Sequence, residues 1–203
     1  MNEIPAAIPG YAYGAREIRQ SPVTLQELEQ LKLSIGFTAE DARYLALAGT
    51  VLEDQTHVIV EHWRSGIIAS IPHLARHSRD LDGHALPDYL ARSNRRFEQW
   101  ILDTCRRSYD QDWLNYQYEI AMRHTRVKKN LADNVKSTAS IPLRDIIGFI
   151  TVMNDTIKPH LAAKGHAEDE VEKMHRAWRG SMQLQAALFA QPYSDPALAL
   201  NEW

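Results

Sequence analysis

Apolar residues recur at steps of three and four along most of this chain, and proline and glycine interrupt the pattern at intervals of one helix. That rhythm predicts an all-α protein. Leu25, Leu28, Leu31 and Ile35 form one stripe, opened by a capping box of Thr24 with Glu27 and closed by Gly36. Thr38, followed by Glu40 and Asp41, opens a longer helix. Its stripe runs through Leu45, Ala48, Leu52, Ile59 and Trp63 to a stop near Gly66 or Pro72. After the polar segment HSRDLDGHALP, Pro87 starts a helix with Leu90, Phe97, Ile101 and Cys105 on one side. A further helix over 110–130 spaces Trp113, Tyr116, Ile120 and His124 by three, four and four. Pro142 begins an apolar helix through Ile146, Phe149, Met153 and Ile157, with Gly165 after it. Glu168, Asp169 and Glu170 open the last one, which carries Val171, Met174, Trp178, Leu184 and Leu188 before Pro192 and Pro196 mark a loose end. Residues 1–20, with Pro5, Pro9, Gly10 and Gly14, read as an irregular leader. No repeat or shift of composition divides 1–203, so a single domain is expected.

Composition changes this picture little. Hydrophobic residues make up 44% and charged residues 24% of 203, the balance of a folded globular chain. A net charge of −3, from 23 basic and 26 acidic residues, gives no electrostatic footprint for nucleic acid. The N-terminus shows no basic region followed by an apolar run, and apolar stretches such as 146–153 fall far short of the ~20 residues of a membrane span. The only cysteine, Cys105, excludes an intramolecular disulfide and suits a reducing compartment. A cytoplasmic protein with no membrane partner is expected.

Among nine histidines, His73, His77, His84, His160 and His166 sit among charges or in loops and read as surface residues. His124 differs, because an apolar stripe delivers it toward the core. It is either a buried histidine bonded to a backbone carbonyl or a metal ligand. Arg126, Lys128 and Lys129 follow it. They are either a solvated helix end that complements the dipole or partners for the carboxylates of a haem beyond an axial imidazole. A single imidazole on iron leaves the opposite face open to a diatomic gas.

The ordered blocks IPGYAYG at 8–14, FTAED at 37–41, VLEDQ at 51–55, RRFEQWILDTC at 95–105, SYDQDWLNYQYE at 108–119 and KPHLAAKGH at 158–166 cover nearly the whole chain. Together they resemble the protoglobins, single-domain globins related to the sensor domains of globin-coupled sensors. The resemblance implies a globin-like helical sandwich with an additional N-terminal helix and a leader loop, residues 1–20, covering the haem edge. It also implies a non-covalent haem b, since one cysteine cannot supply the C-x-x-C-H attachment. His124 matches the proximal iron ligand, Phe97 the distal phenylalanine, and Phe149 and Met153 apolar pocket residues, each of which can also be core packing. Arg96 matches a basic residue near the propionates, and Tyr11 and Tyr13 belong to the leader that buries the haem. A homodimer through the last two long helices is implied as well.

Relatives carry Trp-Tyr where this chain reads EHWRSGIIAS, so Trp63 is followed by Arg64 and Ser65 rather than by a tyrosine able to donate to bound oxygen. Either that donor is lost, at a net cost of about 1 kcal/mol, or Arg64 or Ser65 donates instead. The function expected is reversible binding of O2, CO or NO at a pentacoordinate haem, with sensing left to a separate signalling partner because no output domain is visible. The alternative is a haem enzyme, a nitric oxide dioxygenase or peroxidase-like activity, which needs an external reductase because no flavin or nicotinamide motif is present. A di-iron carboxylate bundle is a third class, resting on Glu172-x-x-His175 and the near miss Asp54-x-x-His57.

Overall fold

In the computed structural model, which describes residues 7–203, both threonine caps close as capping boxes. The leader's first six residues lie outside the described part. The Glu27 amide donates to Thr24 Oγ1 at 3.2 Å and the Thr24 amide donates to the Glu27 carboxylate at 2.8 Å, which starts α1 (Leu25–Ile35). Gly36, at φ 65°, ends α1 in the left-handed conformation that a side chain disfavours. Thr38 and Asp41 exchange the same pair of bonds at the start of α2 (Ala39–Leu52).

The single helix expected from Thr38 to Trp63 is broken. The Gln55 amide turns back to the Leu52 carbonyl at 2.9 Å, one residue short of an α-helical bond. Its side-chain Nε2 donates to the carbonyls of Val51 at 2.8 Å and His160 at 3.1 Å. Gln55 thus satisfies a freed carbonyl locally, and α3 (Thr56–Glu61) starts after it. A π-helical turn, His62–Ile67, follows it. A 3-10 turn, Ile68–Ser70, and the short α4 (Pro72–Ala75) then lead into the loop before α5 (Pro87–Arg106).

Asp110 caps α6 (Gln111–Met122) by accepting the Trp113 amide at 3.0 Å. This helix also ends earlier than the apolar stripe suggests. The His124 and Thr125 amides bond to Ala121 and Met122, three residues back, and the Thr125 hydroxyl donates to the Met122 carbonyl at 2.8 Å. The chain then runs through turns to α7 (Leu143–Ala162) and α8 (Glu168–Ser194). The C-terminus is not a loose end. Leu200 is buried, the Leu143 amide donates to the Glu202 carbonyl at 3.0 Å, and the Glu202 carboxylate pairs with Arg126.

These eight α-helices pack without a β-sheet among the described residues. α8 lies against α7, α2 and α6, while α5 crosses α2 and α3. Trp63, Ile101, Ile157, Met174 and Trp178 are fully enclosed between them. A smaller cluster of Leu28, Trp113, Leu114 and Leu188 seats α1. α2 and α5 approach so closely at Gly49 that a β-carbon there would lie 2.8 Å from Cys105 Cβ. No helix among the described residues is long and apolar enough to cross a membrane.

Candidate functional site

α5, the end of α6, the turns after it, α7 and the π-helical turn leave a cavity of about 240 Å³ between them. Ile120, Ile141, Ile146, Phe149, Met153, Phe97 and Phe189 supply much of its wall. His124 lines it, held in place by the way α6 ends. Because the His124 amide turns to Ala121, the Ile120 carbonyl is free, and the His124 ring takes it, Nδ1 to O, at 2.8 Å. A carbonyl only accepts, so Nδ1 carries the proton and Nε2 presents its lone pair. Nε2 has no hydrogen-bond partner among the described residues. Burial first, then the charges of Arg64 and Lys129, outweigh the Ile120 bond and hold the imidazolium pKa down at about 4. The ring is neutral at physiological pH and stacks on Phe189 at a centroid distance of 6.0 Å.

Four cations line the cavity, and two of them are already matched by acids. Arg96 and Arg92 both bond to Asp133, whose carboxyl stays below its usual range because those guanidinium bonds overcome the effect of burial. Arg123 donates to Glu119 at 2.9 Å. Arg64 and Lys129 form no ion pair among the described residues. Lys129 is 3% exposed and donates only to the Thr138 carbonyl at 2.9 Å, and burial brings its pKa down to about 8. Of the three basic residues after His124, only Lys129 faces the cavity. Arg126 turns outward to Glu202 and Lys128 to Glu119.

The sequence-predicted residues divide cleanly. His124, Arg96, Phe97, Phe149, Met153 and Arg64 share the one cavity. Trp63 does not reach it; its indole packs behind Phe97 at 5.2 Å and donates to Thr156 Oγ1 at 2.8 Å. Ser65 is exposed and off the cavity wall, so of that pair only Arg64 lines the cavity. Tyr11 and Tyr13 stand one layer back, edge-on to the cavity residue Tyr116. The Tyr11 hydroxyl donates to Asp103 at 2.7 Å. The leader is fastened at the rim, where Arg96 donates to the Pro9 carbonyl at 2.7 Å and Arg123 to the Gly10 carbonyl at 2.6 Å.

One residue read as surface is not. His77 is 4% exposed and lines the cavity, with Nδ1 2.7 Å from Thr138 Oγ1 and Nε2 3.5 Å from the Asp145 carboxylate. Burial, with the charge of Lys129, lowers its pKa to about 4. Its polar loop context carries no periodicity that could have signalled this. The di-iron alternative finds no support in the geometry. Glu172 pairs with Lys158, Asp54 with Lys164, and His57, 81% exposed, with Glu98. Among the described residues the only cluster of metal-ligating type is Asp80, Asp82 and His84 on the surface, whose first carboxylate is engaged by the amides of Asp82 and His84.

A neutral imidazole with a free nitrogen, apolar walls and the basic side chains of Lys129 and Arg96 together fit a porphyrin that carries a metal and two carboxylates. The family model described as protoglobin matches residues 24–198. Among solved structures, the globin domain of the Geobacter sulfurreducens globin-coupled sensor superposes with a TM-score of 0.65 at 16% identity, covering 85% of this chain and 99% of that one. At that identity the likeness speaks for the globin fold alone. No curated protein matches.

Proposed function

Because the chain belongs to the protoglobin family, we propose that it is a haem protein that reversibly binds O2, CO or NO, with His124 as the protein ligand of the iron. The observation that carries this reading is the state of His124: a neutral ring inside an apolar cavity, with Nδ1 bonded to the Ile120 carbonyl and Nε2 unengaged. When bound, a haem held by His124 would supply an iron able to take a diatomic gas.

The chain's own residues supply the rest. The Ile120 carbonyl fixes the ring's orientation and makes Nε2 a better donor to metal. Lys129, with no acid of its own, and Arg96, at the rim beneath the leader, suit the two porphyrin carboxylates. Phe97, Phe149 and Met153 keep water from the ligand. Arg64 lies in the segment where the resemblance expects a tyrosine, its guanidinium 5.2 Å from the centre of the Phe97 ring, and donates to bound oxygen in the absence of that residue.

The test is reconstitution. Apo-protein titrated with hemin should develop a Soret band that saturates at one equivalent, and reduction under CO should shift it to the carbonyl form. A titration without saturation contradicts the reading. Arg64→Ala should hasten oxygen release several-fold, the effect of losing about 1 kcal/mol. An unchanged off-rate removes Arg64 from the role of donor.

A further inference from the structure

The charges of this chain are unevenly placed. Two stretches that begin and end on cavity residues, 74–97 and 123–146, together carry eleven basic and five acidic side chains. The rest of the chain carries twelve basic and 21 acidic ones. Within the two stretches Arg76, Arg79, Arg95, Arg126, Lys136 and Arg144 are exposed, against only Asp82 and Asp88 among the acids. The loops that bear them are stitched into one rim. Asp80 and Ser137 form a bridge, the Ser137 hydroxyl donates to the His77 carbonyl at 3.1 Å, and Asn130 Nδ2 donates to the Ser137 carbonyl at 3.0 Å. Arg79 and Lys136 therefore flank the same bridge, while the Asp80 carboxylate is engaged inside its own loop by the amides of Asp82 and His84. Two leucines of this rim face solvent, Leu81 at 74% and Leu131 at 75% exposed. Leu131 directly precedes Ala132 and Asp133, which line the cavity.

We propose that this rim is the docking surface for an acidic electron-carrier protein that delivers one electron to the cavity. The proposal rests on the haem reading: one electron leaves the reduced carrier and is gained by a ferric iron held by His124, with no bond made or broken. The sequence shows no flavin or nicotinamide motif to supply that electron. An acidic carrier is repelled by the net charge of the rest of the chain and attracted by the rim, so the field orients it as it arrives. Exposed apolar side chains within a charged border suit a transient protein contact, in which charge sets encounter and register. Lys129 and Arg96, which suit the porphyrin carboxylates, are not among the exposed bases, so loading the cavity leaves the docking charges in place.

The probe is a plant-type [2Fe–2S] ferredoxin, an acidic one-electron carrier. Oxidised ferredoxin is titrated calorimetrically into the intact chain, both as apo-protein and loaded with hemin. It should bind both forms one to one, and raising the salt from about 20 to about 300 mM should weaken binding about tenfold or more. Arg79→Glu combined with Lys136→Glu should raise the dissociation constant about tenfold or more, and Leu131→Gln about threefold. Lys173→Glu, a reversal on α8 outside the rim, should stay within about twofold of wild type. In stopped flow, reduced ferredoxin should reduce the hemin-loaded double variant about tenfold more slowly than wild type, whereas photoreduced lumiflavin, a small donor, should reduce both at rates within about twofold.

Equal affinities and equal ferredoxin reduction rates in wild type and the double variant overturn the proposal. Binding of phosphatidylserine vesicles or of a DNA duplex that the double variant abolishes, in a wild type that ignores ferredoxin, assigns the rim to another polyanion and overturns it too. Wild type that binds ferredoxin but takes up no hemin defeats the haem reading, and electron delivery with it. Uptake of hemin without salt-sensitive ferredoxin binding defeats the docking surface alone, so the two failures are distinct. Every substituted side chain is exposed, and circular dichroism checks that each variant keeps its fold. Lys136→Glu alone carries the test if loss of the Arg79 bond to the Gly83 carbonyl disturbs its loop.

Discussion

His124 and His77 are both neutral inside one cavity, and this sets how the apo-protein responds to acid. Each has a folded pKa of about 4, against an ordinary value near 6.5 in the unfolded chain. Below 6.5 the unfolded chain therefore takes up protons that the folded chain refuses. The stability present above pH 6.5 is lost progressively as the pH falls toward 4. The carboxylates held low by their partners, such as Asp133, respond mainly below this window. His57, whose pKa is raised by Glu98, pulls the other way but is exposed. The melting temperature of the apo-protein should thus fall between pH 6.5 and 5, and His124→Gln should flatten part of that slope. A slope that survives in the double variant with His77→Gln contradicts the assignment. Lys129→Met should speed hemin release several-fold by removing a buried cation of the cavity wall that lacks an acid among the described residues. An unchanged rate places the porphyrin carboxylates elsewhere. At this scale the sequence was informative where a side chain rides on a periodic stripe, as His124 does. It was silent on His77, placed by a loop that folds inward onto Thr138 and Ser137, and on which of Arg126, Lys128 and Lys129 faces inward.

Helix ends were legible wherever a local capping signal sets them. Thr24 and Thr38 cap as their spacing implies, and Pro87 sits in the first turn of α5. Thr38→Ala removes the acceptor for the Asp41 amide and should cost about 0.5–2 kcal/mol in denaturant unfolding. A change within experimental error means water takes over the cap. Ends set by tertiary partners were not legible. The break at Gln55 depends on the His160 carbonyl across the core, and the stop at Met122 frees the Ile120 carbonyl that orients His124. An unbroken apolar stripe gives no sign of either. The crossing of α2 on α5 is likewise set by a pair distant in sequence. Gly49→Ala puts a methyl against Cys105 Cβ and within 3.0 Å of Arg106 Cγ. It should destabilise the protein by about 1–3 kcal/mol despite the better helix propensity of alanine. A neutral or stabilising effect shows that the two helices part easily.

Across the whole molecule, the fold brings α5, the end of α6, the turns after it, α7 and α8 to one cavity, with the leader fastened at its rim. The globin fold is the sum of local signals and one packing order, which is why the ordered blocks from 8–14 to 158–166 were enough to indicate it. The leader's course over Tyr116, and its anchorage by Arg96 and Arg123, needed coordinates. Gly10, at φ +74°, lies where a β-carbon would meet Arg96 Nη1 at 2.9 Å, so Gly10→Ala strains both the backbone and that anchor. Hemin should leave this variant faster than wild type. The central claim, that the imidazole at position 124 is the protein's bond to a porphyrin iron, is tested most directly by His124→Gly loaded with hemin and reduced, with and without free imidazole. The account predicts that the variant loses the wild-type ferrous spectrum and regains it when imidazole enters the space left by the side chain. A His124→Gly protein whose spectrum and hemin affinity equal those of wild type without imidazole contradicts it.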